Sequence, residues 1–315
     1  MAPTAELTKL LDAANAGLSA FDALRGYTYA RELGRGGMGA VSLLRHADTG
    51  EYLAIKLMRP ELATHDEMQR RFLREMRNTV GLRHPNIVGA RDAVHVGATA
   101  FFTMDYCDGG NVEDLMDARG GVLGIAEAVQ ITVQCLDGLD YAHHAEIPEV
   151  ELADGSVRSG HCLVHRDLKP ANILLAGTRE CPTVRLGDFG LARLLTLAGL
   201  SGLTRSDMGA WGTPQFMARE QLRNFKYSGP EVDVWSMAAC LYCMLTRHVP
   251  RNFDGAHDAF AVVGDADPVP ILQRKPGLPR ALANVIDEAL LETPDAPLQS
   301  AAAFKAALVG TISNV

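Results

Sequence analysis

The chain has 315 residues, a formal net charge of −8, 47% apolar residues and 22% charged residues. That length supports one large domain or two lobes with separate cores, and the composition is that of an ordinary globular protein. The acidic balance excludes an extended nucleic-acid surface, which needs a basic stripe, but leaves room for a local basic groove. The six cysteines, at positions 107, 135, 162, 181, 240 and 243, are scattered through apolar or ordinary contexts. No secretory apolar segment opens the chain, and its longest apolar run, Val234 to Leu245, is too short to span a bilayer. A reducing cytoplasm with free thiols is the compartment these features predict.

Residues 5 to 24 carry Leu7, Leu10, Leu11, Ala14, Leu18, Phe21 and Leu24 at helical spacing, with a weak point at Gly17. The helix predicted there either packs on the domain that follows or serves a partner or second copy. Next comes Leu33-Gly34-Arg35-Gly36-Gly37-Met38-Gly39-Ala40-Val41, a predicted hairpin with a glycine-filled turn. Glycine lets backbone N–H groups approach a phosphate closely. No helical pattern follows at once, which argues against a dinucleotide-binding fingerprint. After an Asp48-Thr49-Gly50 turn, the strand Tyr52-Leu53-Ala54-Ile55-Lys56 places a lysine among apolar residues, where it is costly to bury without a partner.

The spacing of Phe72, Leu73, Met76, Val80 and Leu82 predicts a helix over 66–82, and Glu75 on it is a candidate partner for Lys56. Phe101 to Asp105 reads as a strand that runs into the Gly109-Gly110 turn. Asn111 then heads a helix as a good N-cap. Ile125, Val129, Val133, Leu136 and Leu139 lie on one face of a long helix over 125–143. A polar stretch at 148–163, with Asp154-Gly155 inside it, predicts a hairpin. His143, His144, His161, Cys162 and Cys181 lack the paired spacing of a zinc site.

The densest chemistry lies in Val164-His165-Arg166-Asp167-Leu168-Lys169-Pro170-Ala171-Asn172-Ile173-Leu174-Leu175 and in Arg185-Leu186-Gly187-Asp188-Phe189-Gly190. Apolar flanks predict short buried strands with the polar residues on the loops between them. Two acids, an amide and a lysine so placed suit metal-nucleotide chemistry. One acid can accept a proton, an acid and an amide oxygen can hold hard cations, and the lysine can steady phosphate charge. Further on, Asp233 opens an apolar helix, and Cys240 and Cys243 form a CxxC inside it that reads as core packing. Helices over 279–292 and 298–309 close the chain.

His165-Arg166-Asp167 through Asn172, followed by Asp188-Phe189-Gly190, resembles the catalytic and metal-binding loops of protein kinases, and the likeness runs from residue 27 to 309. The resemblance implies an α+β, two-lobed protein kinase fold: a small antiparallel β-sheet lobe with one main helix, then a larger, mainly helical lobe. It divides the chain into an N-terminal helical extension (1–26) and a kinase domain (27–309), with lobes 27–106 and 107–309 and an insertion at 148–163. The implied activity is transfer of the ATP γ-phosphoryl group to protein Ser or Thr hydroxyls, autophosphorylation included. Lys169, two residues after Asp167, resembles the serine/threonine class. A nucleotide-binding scaffold without turnover and a small-molecule phosphotransferase of related fold are the rival readings.

By the same resemblance Asp167 is the proton acceptor, Lys169 the phosphoryl stabiliser, and Lys56, paired with Glu75, the phosphate anchor. Asn172 and Asp188 hold Mg²⁺ or Mn²⁺. Gly34, Gly36, Gly37, Gly39, Val41, Ala54, Met104, Asp105, Cys107 and Leu174 surround the nucleotide, and Asn111 lies near the ribose unless it serves only as a cap. Protein substrates and ATP are the implied partners, with no nucleic acid, no membrane insertion and a homodimer for autophosphorylation. Thr196, Ser201, Thr204 and Ser206 are candidate acceptors in the segment after Asp188, with Thr204 and Ser206 preferred. Thr213 is assigned to hydrogen bonding near Asp167 and Lys169. The family closes that segment with Ala-Pro-Glu. Here Met217-Ala218-Arg219-Glu220 has arginine for proline, and the late arginine that usually pairs with the glutamate is missing near Pro297.

Overall fold

The computed structural model describes residues 4–36, 39–58, 74, 76–96, 99–151, 157–177, 182–189, 214–224, 228–293 and 295–312. Strands β1 (Tyr27–Gly36), β2 (Gly39–His46), β3 (Tyr52–Met58), β4 (Ala90–Val96) and β5 (Thr99–Asp105) form one sheet in the order β1-β2-β3-β5-β4. Each neighbouring pair in it is antiparallel. The predicted hairpin is β1–β2, with Gly36 facing Gly39 across its end.

Side chains alternate along β3 with the period of two that a pleated strand imposes. Leu53, Ile55 and Leu57 join Leu44 and Phe101 on one face, while Ala54 and Met58 join Phe102 and Met104 on the other. The first face is covered by the N-terminal segment. Helix α1 (Ala5–Asn15), capped by Thr4, buries Leu7, Leu10, Leu11 and Ala14. Gly17, at φ +88°, ends it with a turn that glycine adopts at low cost, and a 3-10 turn (Ser19–Leu24) adds Phe21 and Leu24. The predicted helix over 5–24 is therefore two pieces, and it packs on the small lobe. Residues 7–24 and the sheet share one core, so the hydrophobic unit begins before residue 27.

The larger lobe is mainly helical. Helix α2 (Val112–Ala118) starts with a capping box between Asn111 and Asp114, which is the N-cap reading of Asn111. Helix α3 (Ile125–His144) leads into the hairpin β6 (Glu146–Glu151) and β7 (Val157–His161), where the sequence predicts a hairpin over 148–163; its Asp154-Gly155 turn lies outside the described residues. A 3-10 turn (Pro170–Asn172) precedes the ribbon β8 (Ile173–Ala176) and β9 (Thr183–Leu186). Helices α4 (Arg219–Arg223), α5 (Glu231–Thr246), α6 (Ala259–Asp265), α7 (Ile271–Arg274), α8 (Arg280–Ala289) and α9 (Ala301–Ile312) follow.

Helix α5 is buried on all sides, which is how an apolar run too short for a bilayer is used in a core. Cys240 lies fully inside it and Cys243 at its edge; both are free thiols, and burial pushes Cys243 up to about 11. Among the described residues, no helix is long and apolar enough to cross a membrane, and no His/Cys/Asp/Glu cluster could hold a metal ion.

Leu24 is fully buried between the cap and the sheet. Leu24→Ala is expected to cost about 2–5 kcal/mol, read as a lower midpoint in urea unfolding. Deleting residues 1–26 uncovers Leu44, Leu53, Ile55, Leu57 and Phe101, and light scattering is expected to register self-association.

Candidate active site

Three loops converge where the lobes meet. Segment 86–88 is stapled to β9: Val88 N–H donates to Leu186 O, Leu186 N–H donates to Asn86 O (both 2.9 Å), and Asn86 Nδ2 donates to Val184 O at 2.8 Å. Gly187 N–H donates to Asn172 O at 2.9 Å, which ties the loop after β9 to the loop before β8. His165 fits between them. Its Nε2 donates to Gly187 O at 2.7 Å, and its Nδ1 accepts from Asp167 N–H at 3.3 Å. Its ring packs on Phe189 with centroids 4.6 Å apart.

The loop carrying Asp167 hangs from a buried carboxylate. Asp233, fully buried in the first turn of α5, accepts from His165 N–H (2.7 Å), Arg166 N–H (2.8 Å) and His143 Nε2 (2.9 Å). Burial pushes this carboxyl up, but the hydrogen bond and charge from His143, with the Arg166 N–H, outweigh it and hold the pKa below its ordinary value. Asp233 therefore holds the loop and does not cap its own helix, and helix α5 has no side-chain cap bond. Arg166 has φ +65°, a costly left-handed backbone, and is pinned at both its backbone N–H and its carbonyl, which accepts Gln221 Nε2 at 2.7 Å.

On this frame Lys169 Nζ lies 3.0 Å from Asp167 Oδ2. Asn172 Nδ2 donates to Asp167 O (2.7 Å) and Oδ2 (3.1 Å). Asn172 thus turns its amide nitrogen to the loop, and its carbonyl oxygen is the atom suited to a cation. Across the cleft, Lys56 Nζ on β3 lies 2.8 Å from Asp188 Oδ1, with Lys56 more deeply buried than Asp188. Asp188 has φ +61°. Burial raises its carboxyl, but the Lys56 charge and hydrogen bond outweigh that and leave it lowered and ionised at neutral pH. The partner that β3 needs for its lysine is thus met by Asp188; Glu75 lies outside the described residues, as do Gly37, Gly190, Thr196, Ser201, Thr204, Ser206 and Thr213.

The nucleotide candidates fall on the second face of the sheet. Ala54, Met104 and Cys107 are buried there, with Val41 and Leu174 packed against them from the two lobes. Leu33, in the same group, was missed; its signal is the apolar residue just before Gly34. The N–H of Asp105 is taken by Gly89 O at 2.9 Å. A Cβ on Gly39 would lie 1.8 Å from Leu57 O, so glycine is required there by packing. At Gly34 a Cβ would meet nothing within 4 Å, and Gly34 and Gly36 sit at the turn end of the hairpin.

An oxygen set of one ionised carboxylate and one amide fits a hard dication such as Mg²⁺, which binds few protein groups and completes its shell with water and phosphate.

The sequence leaves Glu220 without its expected arginine, and the structure has the polarity reversed. Glu220 is exposed. Glu292 instead accepts from the Arg219 backbone N–H and from Arg251 Nη2 at 2.6 Å, with Arg219 Nη1 at 3.6 Å. Arg251 is 1% exposed and lies over Trp235 at 4.3 Å. The acidic member is residue 292 rather than a residue near 297.

Residues 27–265 match the family model described as protein kinase domain. Serine/threonine-protein kinase PknJ of Mycobacterium tuberculosis is 35% identical over 293 residues, covering 91% of this chain and 45% of that protein. Serine/threonine-protein kinase PkaA of Streptomyces coelicolor is 34% identical over 280 residues, covering 85% and 47%. The chain therefore spans less than half the length of these relatives. Among solved structures, the M. tuberculosis PknI kinase domain superposes with a TM-score of 0.66 at 25% identity, over 91% of this chain and 96% of that one.

Asp233→Asn removes a charged acceptor of two buried N–H groups and is expected to cost on the order of 3 kcal/mol at neutral pH. A depressed carboxylate adds stability above its unfolded pKa, roughly 3.9, and loses it as pH falls through the lower folded value. The melting-temperature gap between the parent and Asp233→Asn is therefore expected to be widest at neutral pH and to narrow below about pH 4.

Proposed function

The chain belongs to the protein kinase domain family, in its bacterial serine/threonine branch, and from that premise we propose that it transfers the γ-phosphoryl group of ATP to Ser or Thr hydroxyls of proteins, itself included. The observation that carries this reading is the meeting of two charge groups from different lobes: Lys56–Asp188 at 2.8 Å, and Asp167–Lys169–Asn172 within 3.1 Å of one another. All five of these side chains are present, which favours an enzyme over an inert nucleotide-binding scaffold.

In the proposed mechanism the adenine lies among Leu33, Val41, Ala54, Met104 and Leu174, against the Asp105 carbonyl and the Cys107 backbone. Backbone N–H groups from Gly34 to Gly39 and the Lys56 ammonium hold the phosphates. A magnesium ion held by Asp188 and the Asn172 carbonyl oxygen supplies charge neutralisation on the phosphates when bound. Asp167 orients the acceptor hydroxyl and takes its proton. Lys169, beside Asp167, balances charge on the moving phosphoryl group. Fixing these groups on a frame tied to Asp233 is the larger part of the catalysis, because phosphoryl transfer depends on position and electrostatics. We assign residues 27–106 and 107–309 to the two lobes, with residues 4–26 as a cap on the first. We place its site of action on the cytoplasmic side, a reading supported by the free thiols among the described residues and by the demand for ATP.

The test uses the purified chain, labelled Mg-ATP and a generic basic protein, with phosphosite mapping. Phosphoserine and phosphothreonine are expected. Asp167→Asn is expected to lower kcat by about 10²–10⁴-fold with nucleotide affinity largely kept. Undiminished turnover in that variant, or transfer to small alcohols alone, would refute the assignment.

A further inference from the structure

Two features lie together on the acceptor side of the loop. The first is a cavity of about 430 Å³, lined among others by Met116, Lys169, Pro170, Phe216 and Cys243. Phe216 belongs to the stretch 214–223, so that stretch forms one wall of the space beside Lys169. The second is the buried charge cluster behind that wall. Glu292, with its side chain 10% exposed, is bracketed by the guanidinium groups of Arg219 and Arg251.

The cluster grips the wall at several points. Arg251 Nη1 donates to Met217 O at 2.8 Å, directly after Phe216. Arg219, two residues on, gives both its backbone N–H and its guanidinium to Glu292. Its Nη2 reaches Ala266 O at 2.9 Å, and Arg251 Nε reaches the same carbonyl at 2.9 Å. From the other end of the stretch, Gln221 Nε2 donates to Arg166 O at 2.7 Å, one residue from Asp167. Glu292 is thus connected through Arg219 to both the cavity wall and the backbone that carries Asp167. Without its charge, the buried Arg251 guanidinium would lose its carboxylate partner, while Arg219 would keep the exposed Asp267 at 3.2 Å.

We propose that Glu292 is a positioning residue for the phosphate acceptor: through Arg219 and Arg251 it fixes the Pro214–Arg223 wall against which a substrate chain lies beside Lys169. This rests on the kinase reading above and adds to it a residue that touches neither nucleotide nor acceptor. Glu292 acts on acceptor binding; the nucleotide pocket, formed by other elements, is independent of it.

The experiment uses the full chain and the variants Glu292→Gln, Arg219→Gln and the double variant. Mg-ATP affinity is measured by calorimetry, acceptor KM and kcat with the basic protein, and amide exchange of Arg219 and Gln221 by mass spectrometry. The expected result for Glu292→Gln is unchanged ATP affinity, acceptor KM raised roughly tenfold or more with a smaller change in kcat, and faster exchange at both amides. Because the two residues act on one contact, the double variant is expected to be no worse than the poorer single one. Unchanged acceptor KM in both single variants would overturn the proposal, as would parallel loss of ATP affinity, which marks general destabilisation. Absence of transfer by the unaltered chain would count against the kinase reading, and the exchange data would then judge the anchor: faster exchange upholds it, unchanged exchange removes it.

Discussion

A carboxylate without water holds the rest of the site in place. Asp233 is fully buried and satisfies donors from three directions: helix α3 through His143, and the loop through the N–H groups of His165 and Arg166. Burying a charge costs several kcal/mol unless its lone pairs are engaged, and breaking the set leaves that cost uncompensated. The arrangement is therefore all or nothing. It is what permits Arg166 to stay at φ +65°, because its N–H is bound to Asp233 and its carbonyl to Gln221. The backbone turn at Arg166 in turn sets where Asp167 emerges. The position of the proposed proton acceptor is thus fixed by the core of the large lobe and owes little to the surface loops around it.

The small lobe solves a different problem. A five-stranded sheet has two faces, and here each is committed. One carries Ala54, Lys56 and Met104 toward the cleft; the other carries Leu53, Ile55 and Leu57 toward α1 and the Ser19–Leu24 turn. Moving β3 by one residue would reverse both faces at once, so covering one face fixes the register that aims Lys56 at Asp188. Cap and cleft are linked through that alternation although they share no side chain.

Much of this is written locally in the sequence. The strands, the two long helices α3 and α5, and the loops bearing Asp167 and Asp188 follow from periodicity and from motif order, because each depends on neighbours in the chain. The break at Gly17 was visible as a weak point, but its outcome depended on the sheet that receives Phe21 and Leu24. What the chain could not disclose were contacts between distant charges. Lys56 needs an anion, and sequence spacing does not disclose that Asp188 supplies one. Asn111 was legible as a helix cap, and the Asp114 carboxylate three residues on completes the capping box. Leu33 needed the fold to bring it onto Ala54 and Met104.

The reversed cluster at Glu292 has a physical logic of its own. Coulomb attraction has no preference for which element carries the acid, so exchanging the signs across a contact conserves the pair energy. The geometry is not conserved. A carboxylate can only accept, whereas a guanidinium presents five donors in a rigid fork. With arginine at 219 and 251, the cluster satisfies Glu292 and also binds the carbonyls of Met217 and Ala266. A glutamate on the wall could not have gripped those carbonyls. The second arginine adds a like charge beside the first, and its cost is offset by the Glu292 carboxylate between them and by the Trp235 ring beneath Arg251. The departure from Ala-Pro-Glu at Arg219 is therefore not a missing clamp but a differently wired one, with one donor on the wall, a second at the buried Arg251 and the acceptor between them.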